Sequence, residues 1–494
     1  MTYRTSLMLC VAVGLALLAA PSVQASTLTW DNGDGNGLWD TTSQNWSGTA
    51  TWNNGTPDEA VFGATGVGTV TLDEDITAAA VTFDTAGYTI AGGGNTLTMN
   101  GDITANESAT ISAPLSLTAT QTWEVANGKT LSVSDVVIGA DDVDLHINNT
   151  GGDGSTNIVN MTGALSLINA KFTVNGGRFD YSGAGGTVTS DNAFVVGDGY
   201  NGTMNVTGGS LAVDASNKPI VIGVKSVADT GASGTIHVSG GTLTLETDGG
   251  DRGMELGGDK SWGNIPTNDP GEGTLTVSGT GLVQINGNTD ISFGYQGGTG
   301  TVNLDGGTLE TARPFIERAD GTGTINFNGG TLKATGDNGN WIQGLTCNVK
   351  AGGAVIDTNG YNVTIAEALL DPGGGGGLTK DGAGTLVLSG ACTYSGDTTV
   401  SGGTLTVTSA FLDDASTLEI LSGASLTLDH TATDTINLFI LDGVTQEAGT
   451  YDASNTPTYL SGNGSLHVLT PEPATLALLS LGGVATLLGR KRRR

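Results

Sequence analysis

Between residues 202 and 334 apolar and polar side chains alternate in short bursts, and glycines break each burst. With x for any residue, the phrase reads Gly-Thr-apolar-x-apolar-x-Gly-Gly-Thr-apolar-x-apolar. The first copy runs from Gly202-Thr203 through Met204 and Val206 to Gly208-Gly209, then Leu211 and Val213. Later copies begin at Gly234, Gly273, Gly300 and Gly323, and a glycine stands six residues on in every copy: Gly208, Gly240, Gly279, Gly306 and Gly329. Copies are 32, 39, 27 and 23 residues apart, while the internal spacing holds. A period of two predicts strands. A fixed unit with elastic connections predicts stacked repeats.

Most copies follow another short apolar run ending in glycine, such as Phe194-Val195-Val196-Gly197, Ile220-Val221-Ile222-Gly223 or Ile291-Ser292-Phe293-Gly294. Three strands per repeat predict an all-β fold, a right-handed parallel β-helix (β-solenoid) with about three short strands per rung. Met204, Ile236, Leu275, Val302 and Ile325 then form one inward column, and Val206, Val238, Val277, Leu304 and Phe327 a second. At about 4.8 Å per rung, roughly fifteen rungs make a rod on the order of 70 Å long. The glycines sit at corners, where a positive φ or a close backbone excludes a Cβ. The segment Asp259 to Glu272 leaves from one corner as an insert. The competing arrangement is a meander of antiparallel hairpins, because Gly-Gly also suits a tight turn.

The pattern divides the chain. Residues 1–25 read as a signal peptide. Residues 26–150 hold a Trp-rich cap (Trp30, Trp39, Trp46, Trp52) and the first rungs. Residues 151–370 carry the clear repeats. Residues 371–410 are a Gly-rich break with one distinctive repeat, 411–470 the closing rungs and linker, and 471–494 a tail of different texture.

The two ends predict export. Arg4 and the apolar run Leu7–Ala20 precede Val23-Gln24-Ala25, which places cleavage between Ala25 and Ser26; this predicts a signal helix read by a secretion translocase and a signal peptidase. At the other end Pro471-Glu472-Pro473 is followed by sixteen uncharged residues and the cluster Arg490, Lys491, Arg492, Arg493 and Arg494. As a helix the run spans about 24 Å, a short transmembrane helix whose cationic end stays cytoplasmic.

This tripartite tail resembles the PEP-CTERM sorting signal of Gram-negative bacteria. The resemblance implies that Pro471, Glu472 and Pro473 are the recognition motif, that an exosortase is a partner, and that the anchor is removed. It also implies a transient inner-membrane stage, then the cell surface, outer membrane or extracellular matrix. The stretch Leu378-Thr379-Lys380-Asp381-Gly382-Ala383-Gly384-Thr385-Leu386-Val387-Leu388, continued by Tyr394 to Val407, resembles the autotransporter-associated β-strand repeat. That resemblance implies a passenger-like surface β-helix. Cys392 stands where a polar residue is expected. After Val407 only about 60 residues precede the tail, too few for an outer-membrane barrel of many strands of about ten residues each.

Charge narrows the partners. All but six of the 18 basic side chains, and all but one of the 49 acids, lie in residues 26–470, a net charge of −36. Such a body repels nucleic acid. Extracellular polysaccharide remains as a partner class.

Candidate chemistry is sparse. There is no Gly-x-Ser-x-Gly elbow, and His146, His237, His430 and His467 are isolated, with His237 at an outward strand position. The acid runs Asp73-Glu74-Asp75, Asp141-Asp142-x-Asp144 and Asp413-Asp414 read as solvated turns. Arg178, Arg252, Arg313 and Arg318 are the cations a lyase would draw on. No catalytic constellation emerges and the chain reads as a non-enzyme. No cofactor is required, and calcium is the one weighed: Asn32, Asp34 and Asn36 mimic the first half of a calcium loop, but Ser43 stands where the bidentate acid belongs. The tryptophans serve either to stack on sugars or to cap the rod, and capping is the simpler use. Cys347 and Cys392 read as a disulfide or as two buried thiols. The sequence thus predicts an exported surface or matrix structural protein. A secreted β-helix polysaccharide lyase or hydrolase and an adhesin or carbohydrate-binding protein are the alternatives.

Overall fold

In the computed structural model the described residues are 25–148, 156–190, 194–215, 218–225, 232–247, 253–259, 271–318 and 320–469. The predicted signal helix and transmembrane helix lie outside them, as do the sorting motif Pro471, Glu472 and Pro473 and the cluster Arg490, Lys491, Arg492, Arg493 and Arg494. Among the described residues no helix is long and apolar enough to cross a membrane, and the one helical turn is the 3-10 element Tyr295–Gly297.

The chain winds into a parallel β-solenoid of about 14 turns. One turn passes through Ile291–Phe293 on a first wall, Thr299–Asp305 on a second and Thr308–Thr311 on a third. It then regains the first wall at Phe315–Glu317. Each strand pairs with its counterpart one turn away, in the same direction, because a full turn brings the chain back to its own heading. Hydrogen bonds therefore join residues as near as Leu97 and Leu115 and as far apart as Thr244 and Gln284, and the walls are continuous sheets of 18 strands (first) and 14 strands (second).

The register reproduces both predicted columns. Met204, Ile236, Leu275, Val302 and Ile325 are successive partners, and so are Val206, Val238, Val277, Leu304 and Phe327. All ten are buried. Each aliphatic side chain so placed contributes roughly 1.5–3 kcal/mol relative to exposure. The hairpin alternative fails, since among the described residues strand runs against strand only at the C-terminal end, and the antiparallel contacts elsewhere are isolated bridges such as Trp30 with Trp46. There Leu438–Leu441 folds back on Val444–Thr445, and Gly449–Asp452 runs against Ser465–Val468.

The corner glycines have a plain cause. Gly197, Gly223 and Gly257 lie within the last few residues of the first-wall strands Phe194–Asp198, Ile220–Lys225 and Met254–Asp259, and Gly294 follows Ile291–Phe293. All four have φ between 66° and 80°, a region that L side chains rarely occupy. Space forbids a side chain as well: a Cβ on Gly257 would lie 2.1 Å from the Thr299 carbonyl oxygen. Met254–Asp259 ends on the first wall near this corner and Glu272–Ser278 begins on the second; the predicted insert between them, residues 260–270, lies outside the described residues.

The tryptophans form the N-terminal cap. Trp30, Trp39, Trp46 and Trp52 are 0–2% exposed and pack edge-on, with ring centroids 4.8–5.2 Å apart, over Phe62. Buried rings offer no face to a sugar, so the stacking alternative falls. Cys347 and Cys392 are both buried free thiols. Cys347 pairs with Leu369, and Thr393 hydrogen-bonds to Leu369 from the next rung. The cysteine Cα atoms are thus about two rung steps apart, roughly 9–10 Å, beyond disulfide reach.

Candidate functional site

The register brings together outward side chains that are far apart in sequence. On the third wall Thr244, Gln284, Glu310, Lys333, Asp357 and Asp381 are successive partners. Beside them runs a second outward column, Leu282, Thr308, Thr331 and Val355. With the glycines of the adjoining corner, Gly279, Gly281, Gly306 and Gly307, the second column and the Glu310, Lys333, Asp357 and Asp381 members of the first line an open-sided groove of about 430 Å³. Spanning four rung steps, it is about 19 Å long and parallel to the rod.

Its polar side is a linked ladder. The Thr244 hydroxyl donates to Gln284 Oε1 at 3.2 Å, Gln284 Nε2 to Glu310 Oε2 at 2.9 Å, and Lys333 Nζ to Glu310 Oε1 at 3.0 Å. Burial pushes the Glu310 carboxyl up, but the hydrogen bonds from Gln284 and Lys333 outweigh it and hold the group below its ordinary value. The bond to Glu310 in turn holds Lys333 above its own. Asp357 Oδ1 accepts from the Asn359 amide and Asp381 Oδ1 from the Gly382 amide, both at 2.8 Å.

This geometry does not serve glycoside hydrolysis. A hydrolase needs two carboxylates on opposite sides of the scissile bond, one protonated near neutrality. Asp357 and Asp381 lie side by side on one wall, and Glu310 is held in its charged form.

Beneath Asp357 and Asp381 sits a group that the sequence reading passed over. Lys380 occupies an inward column between Ile356 and Val400 and is fully buried. Its Nζ donates to three backbone carbonyls, those of Asp381 (3.0 Å), Gly382 (2.8 Å) and Gly402 (2.9 Å). Burial pulls its pKa down to about 8, against Asp381 and Asp357, which favour the charge. The strict alternation Leu378-Thr379-Lys380-Asp381 was the signal that placed it inside.

The other sequence candidates stay dispersed. Asn32 Oδ1 accepts from the Gly37 amide, Asp34 Oδ2 from the Gln44 amide, and Asn36 Oδ1 from Asn45 Nδ2. All three side chains thus shape the loop before the cap. Among the described residues no group of three or more His, Cys, Asp or Glu could hold a metal. The acid runs serve turns: Glu74 accepts from Thr41, Asp75 from Thr96 and Asp413 from Ala415. His237 faces outward and meets Ser278 Oγ at 2.8 Å. Arg178 pairs with Asp180 at 2.7 Å and Arg318 with Asp290 at 3.5 Å, on different walls, while Arg252 lies outside the described residues. At the start of the rod Ala25 and Ser26 are exposed, and the Ser26 nitrogen donates to Asp58 Oδ1 at 2.9 Å.

Two family matches fall on the stretches singled out in the sequence. Residues 378–407 match the passenger-associated-transport-repeat, and residues 469–494 match the PEP-CTERM protein-sorting motif. The chain is also 30% identical over 222 residues to the adhesin BmaC autotransporter of Brucella suis biovar 1 (strain 1330). That alignment covers 42% of this chain and 6% of the adhesin, so the chain spans a small fraction of that relative's length. No solved structure matches. The chain therefore carries an autotransporter-type passenger repeat followed by a sorting motif, features that mark an exported cell-surface protein. The motif implies an exosortase-type processing partner.

Proposed function

We propose that this chain is a non-catalytic structural rod of the cell surface or extracellular matrix, with an adhesin-like role. A translocase and a signal peptidase take it across the inner membrane. The apolar run 474–489 holds it there until an exosortase-type enzyme cuts at Pro471-Glu472-Pro473. The rod then reaches the outer surface or the matrix. The single observation that carries this reading is the order of parts: an uninterrupted parallel solenoid, a passenger-type repeat within it, and a sorting motif directly behind it. Catalysis is disfavoured by the groove, where Glu310 is paired with Lys333 and the remaining carboxylates, Asp357 and Asp381, lie side by side on one wall. Asn32, Asp34 and Asn36 hold a loop in this reading, and no calcium is needed.

The test is fractionation of cells expressing the full chain beside a variant with Pro471, Glu472 and Pro473 all changed to alanine. The parent is expected at the surface, accessible to added protease, with a mass lacking both ends. The variant is expected uncut in the inner-membrane fraction. A parent that stays uncut and inside the cell sinks the reading. So does turnover of neutral or acidic polysaccharides by the 26–469 rod.

A further inference from the structure

We propose that the third-wall groove binds an uncharged polysaccharide laid along the rod axis. The inference rests on the exported-surface reading and names the ligand class for it. Four observations lead there. The groove is long, narrow and open-sided, the shape for a segment of polymer rather than a small molecule enclosed on all sides. Its floor is a stripe of apolar and methyl groups, Leu282, Thr308, Thr331 and Val355, suited to the C–H faces of sugar rings. One edge carries Glu310 and Lys333, already fixed by their bond to each other and by the bond from Gln284 to Glu310, so they lose little freedom when a ligand arrives. Both keep further capacity for hydroxyls: two N–H donors on Lys333 and spare lone pairs on Glu310.

Charge selects among polymers. Glu310 and Lys333 cancel, which leaves Asp357 and Asp381 as the net charge of the groove on a body that carries −36. An anionic polymer is repelled once it comes within about a Debye length, roughly 8–10 Å at physiological salt. A neutral one meets no penalty and finds both an apolar floor and a polar edge.

The experiment is affinity electrophoresis of the rod 26–469, whose core and two end caps all lie within those residues. Gels contain hydroxyethylcellulose, dextran or alginate. Two variants accompany the parent: the double change Glu310→Ala with Lys333→Ala, which removes both members of the pair, and Leu282→Ser, which roughens the floor. All three positions are outward, so the circular dichroism of the variants is expected to match the parent. The expected result is retardation of the parent in at least one neutral gel, weakened about tenfold or more in both variants, with none in alginate. Absence of retardation in both neutral gels overturns the inference. So does equal retardation of parent and variants, or retardation in alginate alone. A rod found at the cell surface but not retarded sinks this inference and leaves the surface role standing; a rod retained inside the cell sinks the surface role whatever the gels show.

Discussion

The central rungs, 202–370, and the tail rungs, 378–428, close the same solenoid by different means. A central turn has strands on all three walls and turns its corners on glycine. A tail turn has strands on two: Leu378–Asp381, Thr398–Val400 and Thr417–Ile420 on the third wall, Thr385–Leu388, Thr404–Val407 and Ser425–Leu428 on the first. The second wall ends at Leu369–Leu370. Side chains take over where its ladder stops. Asp371 accepts from the amides of Gly373 and Gly374 and from Ser395 Oγ. Cys392 Sγ accepts from the Leu369 amide, and Tyr394 meets Thr398 inside the core. Asp434 accepts from the amides of Phe411 and Leu412. Where backbone pairs on every side, connections vary freely in length and only the corners are constrained. Where one ladder is missing, particular side chains must stand in for it, and the repeat keeps a tight period of about 20 residues.

That contrast can be broken. The largest effect is expected at a central corner. Gly257→Ala, with a positive φ and a carbonyl 2.1 Å from the new Cβ, should cost roughly 3 kcal/mol or more. Gly423→Ala in the tail has a similar φ but nothing within 4 Å, and should cost only about 1 kcal/mol. Denaturation midpoints of the rod give both numbers, and equal costs would remove the distinction between the two regions.

Next in size is Lys380→Met, which keeps the volume in the aliphatic column but strands three carbonyls. About 2 kcal/mol should be lost at neutral pH. The sign of the pH effect follows from burial. The folded pKa, about 8, lies below the ordinary 10.5, so the fold disfavours the protonated lysine. That penalty is complete below about pH 8 and fades as pH rises toward 10.5. The parent should therefore gain stability relative to the methionine variant over that window, and a constant difference would show that burial does not act on the charge.

The smallest effect is expected at Asp371→Asn, on the surface. The bonds from Ser395, Gly373 and Gly374 pull the carboxyl down to about 2 from 3.8. Their contribution is present above about pH 4 and disappears as pH falls through about 2. Amide exchange at Gly373 and Gly374 should be faster in the variant at neutral pH, and the difference should be about halved near pH 2 and gone below it. Unchanged exchange at neutral pH would mean that the carboxylate is not what holds the break.

How far the sequence reaches follows from the same contrast. The inward columns were legible because alternation and the glycine phrase together set the register, down to Met204 above Ile236. The groove was less so. Glu310 and Lys333 occupy the variable x of the phrase, and a single copy gives x no meaning. Only stacking makes it an adjacent pair. A second miss lies on the outside of the first wall. Val195, Val221 and Val224 form a small buried cluster apart from the core. Their runs, Phe194-Val195-Val196 and Ile220-Val221-Ile222, lack polar alternation, which marks strands covered on both faces, and that signal went unused. Lys380 was missed for a different reason. Its chemistry argues that a lysine belongs outside, against the alternation that points it inward, and three carbonyl partners make the inward place tenable.

The caps have a consequence for assembly. A stack of parallel strands is, at each end, a row of unpaired amides and carbonyls that could seed another chain in the manner of a growing fibre. Here one end is plugged by four packed indoles and the other is turned aside by the antiparallel return at Val444–Thr445 and Gly449–Asp452. Polymerisation head to tail is blocked at both termini of the ladder. Copies of the rod are therefore expected to keep a fixed length, without extending one another's sheets into filaments.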